Sequence, residues 1–248
     1  MRSLAFLLFP SLLLAQGLAP SHPDFVKSVY ASVVLLYEQT DSGSMKMECT
    51  ATAYRKTEKG YRFISASHCV EGDTAEERKQ AKYFVSADEK GTKTFLPARL
   101  IESGDKKRGD DFAIFEVEME KGVSVIPLGD DSRLVPGDEI INVASPMGLG
   151  KQFFKGYITA LHVDRPPLDA NEVTWHDVML VNMGIGPGSS GSAVISEDQH
   201  AIIGFAVGNF SANIGAIVLP VSAFKEFEKQ VDAGKYKHSY EKEADSLK

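Results

Sequence analysis

The chain has 248 residues, 43% of them hydrophobic, with 21 glycines, 11 prolines and two cysteines. That length and apolar content exclude a disordered chain and allow a full hydrophobic core, while two cysteines are too few for a small disulfide-held domain. A net charge of −7, from 34 acidic against 27 basic residues, argues against a nucleic-acid partner, which would call for the opposite excess or a concentrated basic face.

The chain opens with Met1-Arg2 and an apolar stretch over residues 4–15, interrupted by Pro10, with small residues at Ala15 and Gly17. A short cationic start, an apolar run and small residues before the break read as a secretory signal over residues 1–17, cleaved after Gly17 or Ala15. The run falls short of the ~20 apolar residues of a membrane-spanning helix. No second stretch of spanning length follows, so a stable membrane anchor is not expected. The expected location is the periplasm or the extracellular medium, where a disulfide persists.

Beyond the signal, runs rich in Val, Ile, Phe, Tyr and Thr recur between Gly, Asp, Ser and charged clusters. Strands are expected at 31–37, 49–55, 61–66, 82–87, 94–100, 112–118, 139–144, 153–163, 173–181, 192–196, 201–208 and 214–220. Short strands at close spacing indicate an all-β sandwich or barrels rather than alternating βαβ units. One helix is expected from Ser222, where Phe224, Phe227 and Val231 fall on one face and Gly234 stops it. Residues 235–248 lack apolar periodicity and read as a frayed charged tail. The seam between two sets of strands is expected between Lys121-Gly122 and Asp130-Asp131, dividing residues 24–122 from 123–234. Lys106-Lys107-Arg108, between Asp105 and Asp110, reads as a solvated loop.

Three short segments carry chemistry. SASHCV (65–70) places His68 at the end of a strand, GDDFAIFEV (109–117) places Asp111 at the start of one, and GPGSSGSA (186–193) places Ser190 in a glycine-rich turn. Acyl transfer by a serine needs a base to take its proton and a third group to orient that base. It also needs backbone N–H donors aimed at the developing oxyanion, and glycine allows the required close approach. The chain order His, Asp, Ser matches one triad class, whereas an α/β-hydrolase esterase would need Gly-x-Ser-x-Gly and the order Ser, Asp, His. The remaining histidines, His22, His162, His176, His200 and His238, form no metal-ligand spacing and read as surface or satisfied residues. Trp175 reads as packing, and Gly148-Leu149-Gly150 lacks the third glycine of a dinucleotide fingerprint. Two cysteines this far apart with one neighbouring His form no zinc pattern, so neither metal nor cofactor is expected.

On these motifs the sequence resembles the trypsin-like serine proteases, and within them the HtrA (Deg) branch, whose protease domain is a chymotrypsin-like double β-barrel. SASHCV is similar to the family's histidine segment, DFAIFEV to its Asp-led strand, and PGSSGSA to its nucleophile loop. Residues 127–150 resemble the stretch that opens the second barrel, and 201–208 and 215–221 the strands that flank the specificity pocket. The resemblance runs from about residue 28 to 232, and a PDZ module is not expected. It implies two antiparallel six-stranded barrels with a C-terminal helix. It implies His68 as general base, Asp111 as its orienter and Ser190 as nucleophile, with the N–H groups of Gly188 and Ser190 forming the oxyanion hole. Asp111 is favoured over Asp110 because it directly precedes the apolar-Ala-apolar run. Ser190 is favoured over Ser189 and Ser192 because it alone has glycine after it and glycine two before it.

The resemblance also implies a Cys49–Cys69 disulfide, a chymotrypsin-group feature that most HtrA proteins lack. It places Gly184, Ile185, Asn209 and Ala216 at the primary pocket, none of them charged, and so implies protein or peptide substrates with small to medium apolar side chains there. Four departures from the family pattern stand out. Ser192 and Ala193 replace a Gly-Pro pair after the nucleophile, where a side chain is expected to crowd the substrate or tilt the loop. Ser189 stands where trypsin has an acid, so activation through an N-terminal salt bridge is not expected. Val207 replaces a serine that serves the triad Asp, so Asp111 needs another donor. A protease-fold binding protein without turnover is the alternative these departures raise. Residues 18–30 show no pattern that assigns an oligomeric state.

Overall fold

A computed structural model describes residues 23–70, 72, 75–88, 94–105, 108–120, 122–165, 175–211 and 215–238. The proposed signal at 1–17, His22, Lys106-Lys107 and the end of the tail lie outside the described residues.

The described chain is mostly strand. α1 (Pro23–Ser32) leads into β1 (Val33–Gln39), β2 (Met45–Lys56) and β3 (Gly60–Ser65). α2 (Ala75–Gln80) precedes β4 (Tyr83–Ser86), β5 (Leu96–Ser103) and β6 (Ala113–Glu118). A second set follows: β7 (Glu139–Ala144), β8 (Gln152–Arg165), β9 (Trp175–Val181), β10 (Ala193–Ser196), β11 (Ala201–Ser211) and β12 (Gly215–Pro220). α3 (Val221–Asp232) closes the fold.

The strands form two closed antiparallel barrels, β1-β2-β3-β6-β5-β4 and β7-β8-β9-β12-β11-β10. The second order repeats the first, although no repeat is visible in the sequence. Closure leaves neither barrel with an unpaired edge strand. The all-β double-barrel expectation holds, with a C-terminal helix as expected.

Two short helices were not anticipated. α1 has Pro23 at its first position, where the missing N–H costs nothing, and buries only Val29 and Ser32. Its register is set instead by partners distant in sequence, Phe25 stacking on His200 at 4.2 Å and Tyr30 on Phe153 at 6.5 Å. α3 follows the apolar periodicity that announced it, with Phe224 and Phe227 buried and Gly234 at φ +63° just beyond its end.

An aromatic cluster ties α3 to both barrels. Phe112, which precedes β6, meets Phe224 of α3 at 5.5 Å and Phe205 of β11 at 6.0 Å, and Tyr54 of β2 meets Phe224 edge-on at 5.1 Å. Such pairs contribute about 0.5–1.5 kcal/mol each beyond area burial. Beside it, the buried carboxylate of Glu228 on α3 accepts from the Tyr54 hydroxyl and from Arg55 Nη2, both at 2.7 Å. A buried charge left unpaired would be strongly destabilising, so these β2 partners fix the helix on the first barrel.

Candidate active site

β3 ends at Ser65, and a 3-10 turn over Ser67–Cys69 presents His68 with its side chain 27% exposed. The turn is held from behind by a disulfide from Cys69 to Cys49 on β2, with the Cα atoms 6.0 Å apart. The two sulfurs lie close to the His68 ring, but as disulfide sulfurs they offer no thiolate to a metal.

Asp111 is delivered by the connection between β5 and β6 and is 1% exposed. Its Oδ2 lies 2.6 Å from His68 Nδ1, while its Oδ1 accepts from the His68 backbone N–H at 2.8 Å and from the Ser67 hydroxyl at 2.7 Å. Burial alone would push this carboxyl's pKa up. The bonds from His68 and Ser67 and the adjacent imidazole outweigh that and hold it below the usual carboxylate value. Ser67 thereby supplies the donor that Val207 cannot. The sequence signal for it was its position directly before His68.

Ser190 sits in the turn between residues 186 and 192. Ser189 N–H donates to Gly186 O at 2.9 Å, and Ser192 N–H donates to Ser189 O at 3.1 Å. Gly188 and Gly191 adopt φ of +91° and +79°, a region that disfavours any side chain. Gly191 is also a point of close approach, since a Cβ there would lie 2.5 Å from Ser65 Oγ and 2.6 Å from Ala66 N. The residue after Ser190 is thus lodged against the segment that carries His68. β2 contributes as well: Thr50 N–H donates to Ser190 O at 3.1 Å, and Thr50 Oγ1 donates to Gly188 O at 2.7 Å while accepting from Ser145 N–H at 3.0 Å. Sequence reading missed Thr50 because nothing local marks a threonine in a strand.

His68 and Asp111 are therefore in direct contact, and the Ser190 turn packs on the same edge. Among the described residues Ser190 Oγ makes no hydrogen bond to His68, and neither the Gly188 nor the Ser190 N–H donates to a protein group.

The Ser192 side chain does not face outward from the turn as a crowding residue would. Ser192 is fully buried, and its hydroxyl accepts from Asn142 Nδ2 at 2.8 Å, so its side chain points into the second barrel instead of crowding a substrate. Asn142 Nδ2 also donates to Ala193 O at 2.8 Å. Ser189 is buried and accepts from Gly186 N–H at 3.3 Å, so the acid's place is filled by a bond within the turn.

Of the residues expected at the primary pocket, Asn209 Nδ2 donates to Ile185 O at 2.9 Å and ties β11 to the segment that also holds Gly184. Ala216 pairs with Asn209 across β11–β12 and is fully buried in the second barrel's core. Trp175 is buried in the core, and His162 and His176 are exposed and face Asp177 and Asp164. A groove of about 1480 Å³ lies at the end of the first barrel, lined by Arg55, Arg62, Tyr83 and Glu116, and none of the three triad candidates borders it.

A profile of the trypsin-like peptidase domain matches residues 49–204. Curated relatives include a probable periplasmic serine endoprotease DegP-like of Bartonella henselae, 27% identical over 142 residues, covering 56% of this chain and 26% of that protein. A protein of the same description from Rhizobium meliloti is 24% identical over 188 residues, covering 74% of this chain and 33% of that one. Serine protease PepD of Mycobacterium tuberculosis is 27% identical over 142 residues, covering 52% of this chain and 31% of its own length. The chain thus spans between a quarter and a third of these relatives. Among solved structures, the HtrA-type protease AlgW with decapeptide superposes with a TM-score of 0.67 at 17% identity, over 88% of this chain and 69% of that one. AlgW with tripeptide gives 0.66 at 21% identity, over 87% and 65%. With a profile match across more than half its length, this chain belongs to the trypsin-like peptidase family, and the DegP-like proteins are among its relatives.

Proposed function

We propose that this protein is an exported serine endopeptidase that cleaves protein or peptide substrates through an acyl-enzyme. The observation that carries the proposal is the 2.6 Å contact of His68 Nδ1 with the buried Asp111 carboxylate, on the edge where the Ser190 turn is lodged. Asp111 fixes the tautomer with the proton on Nδ1, leaving Nε2 free to accept the Ser190 proton. Ser190 Oγ then attacks the carbonyl carbon of the scissile bond. The N–H groups of Gly188 and Ser190 receive the oxyanion, each such donor lowering the barrier by about 3 kcal/mol. His68 returns the proton to the leaving amine, and water repeats the sequence on the acyl-enzyme. Export rests on the reading of residues 1–17 and on periplasmic relatives. Among the described residues no helix is long and apolar enough to cross a membrane.

The uncharged positions Gly184, Ile185 and Asn209, with Ala216 beneath, favour small to medium apolar side chains before the scissile bond. A fluorogenic peptide panel should rank Val, Ala or Leu ahead of Arg and Lys; the reverse ranking would refute this pocket. The reaction itself is tested with a fluorophosphonate probe, which should label the wild type and fail on Ser190→Ala and His68→Ala. Absence of wild-type labelling would favour the second reading, a protease-fold binding protein without turnover. The missing Ser190–His68 hydrogen bond speaks for that reading, although catalytic contacts of this kind commonly tighten only when substrate is bound.

A further inference from the structure

Residues 235–238 follow α3 and pack on the connection between β5 and β6, the segment that delivers Asp111. The expectation of a frayed tail therefore fails for these four residues. Their anchor is Tyr236. The Asp105 N–H donates to the Tyr236 hydroxyl oxygen at 2.7 Å, and that hydroxyl donates to Asp110 Oδ2 at 3.2 Å. Arg108 Nη1 donates to Lys237 O at 2.8 Å, and its guanidinium carbon lies 5.6 Å from the centre of the Tyr236 ring. On its other sides the ring meets Phe227 of α3 edge-on at 4.8 Å and His238 at 5.3 Å. His238 is buried and lies 3.4 Å from Glu102 Oε1 on β5.

The connection is closed by short backbone bonds. Gly104 N–H donates to Phe112 O at 2.6 Å, Asp110 N–H to Asp105 O at 3.2 Å, and Phe112 N–H to Asp110 O at 2.9 Å. The two ends cross at Gly104, where any Cβ would collide with the Asp110 carbonyl. The phenol oxygen of Tyr236 bridges residue 105 at the entrance and residue 110 at the exit, one position before Asp111. Burial first, and then the Asp110 carboxylate, hold the phenol's pKa well above its usual value, so it remains a donor.

We propose that Tyr236 is a positioning residue for the reaction, acting through the Asp105–Asp110 turn on Asp111, and that residues 235–238 form a strap that sets how firmly the His68–Asp111 pair is held. The role rests on the serine-protease reading above. Its physical basis is that proton transfer depends steeply on orientation, so small displacements of an orienting carboxylate are expensive in rate.

Tyr236→Phe keeps the ring and removes only the bridging oxygen. The expected result is a fall in kcat of about tenfold or more with KM within about twofold, because the substrate pocket is untouched. The downfield proton resonance of His68 Nδ1–H should shift or broaden, a change that loss of packing elsewhere would not produce. Asp110→Ala removes the phenol's acceptor instead; it should lower kcat in the same direction, and it reads the bridge should Tyr236→Phe fail to fold. Wild-type kcat and an unchanged resonance in Tyr236→Phe would overturn the role of Tyr236 while leaving the protease reading intact. Failure of the wild type to label with fluorophosphonate would overturn the protease reading, and the resonance would still report on Tyr236.

Discussion

The Ser67 hydroxyl donates to Asp111 Oδ1 at 2.7 Å, so the residue directly before His68 orients the carboxylate that orients His68. His68 and Asp111 are thereby coupled through one turn. Hydrogen bonds to charged groups contribute about 1.5–3 kcal/mol. Ser67→Ala should lower kcat/KM by about tenfold, with Ser67→Thr recovering part of the loss, as measured on a fluorogenic peptide. Equal activity in all three proteins would mean that the carboxylate needs no third donor.

Asp111 also links activity to acid stability. Its folded pKa is depressed, so the stability from its ionisation is fully present above the unfolded aspartate value of about 4 and is lost as pH falls through the lower folded value. The melting temperature of the wild type should therefore drop more steeply below about pH 4 than that of Asp111→Asn. Parallel acid-melting curves would contradict this.

Thr50 spans from the Gly188 carbonyl to the Ser145 N–H, bracing the turn whose N–H groups are assigned to the oxyanion. Thr50→Val keeps the shape and removes both bonds. Fluorophosphonate labelling should slow by about tenfold, in line with roughly 1–3 kcal/mol for the group left unpaired. Unaltered labelling kinetics would show the turn to be rigid without it.

Ser192→Gly tests whether the departure from the family pattern impairs the proposed activity. The hydroxyl points to Asn142, so its removal should cost about 1 kcal/mol of stability by urea unfolding and bring no gain in turnover. A large rise in activity would show that Ser192 obstructs the site after all.

The Cys49–Cys69 bond closes a loop of sequence separation 20 behind His68. Replacing both cysteines by alanine should reduce unfolding free energy by about 3 kcal/mol. Reductant should lower the wild-type denaturation midpoint and leave that of the double variant unchanged; no response in either would remove the bond from the stability account.

The strands and the three motif segments were legible because their determinants are local. Runs of β-branched and aromatic residues favour extended chain wherever they occur, and the glycines around Ser190 are required by the backbone angles of that turn itself. α1 was not legible, since its own residues bury only Val29 and Ser32 and its stacking partners, His200 and Phe153, lie far along the chain. The duplicated barrel order was hidden for a related reason: strand order is set by which surfaces can be buried together, and different residues meet that requirement in each half.

Composition and local pattern determined an all-β chain with a histidine, an aspartate and a serine in motifs whose residue types the chemistry restricts. Tertiary structure alone decided which groups hold them. Ser67 reaches Asp111 across 44 positions, Thr50 reaches Gly188 across 138, Asn142 reaches Ser192 across 50, and Tyr236 reaches Asp105 across 131. Each is an ordinary polar or aromatic residue in its own neighbourhood. A hydrogen bond depends on distance and direction in space, and no periodicity along the chain encodes a contact between residues that only folding brings within 3 Å.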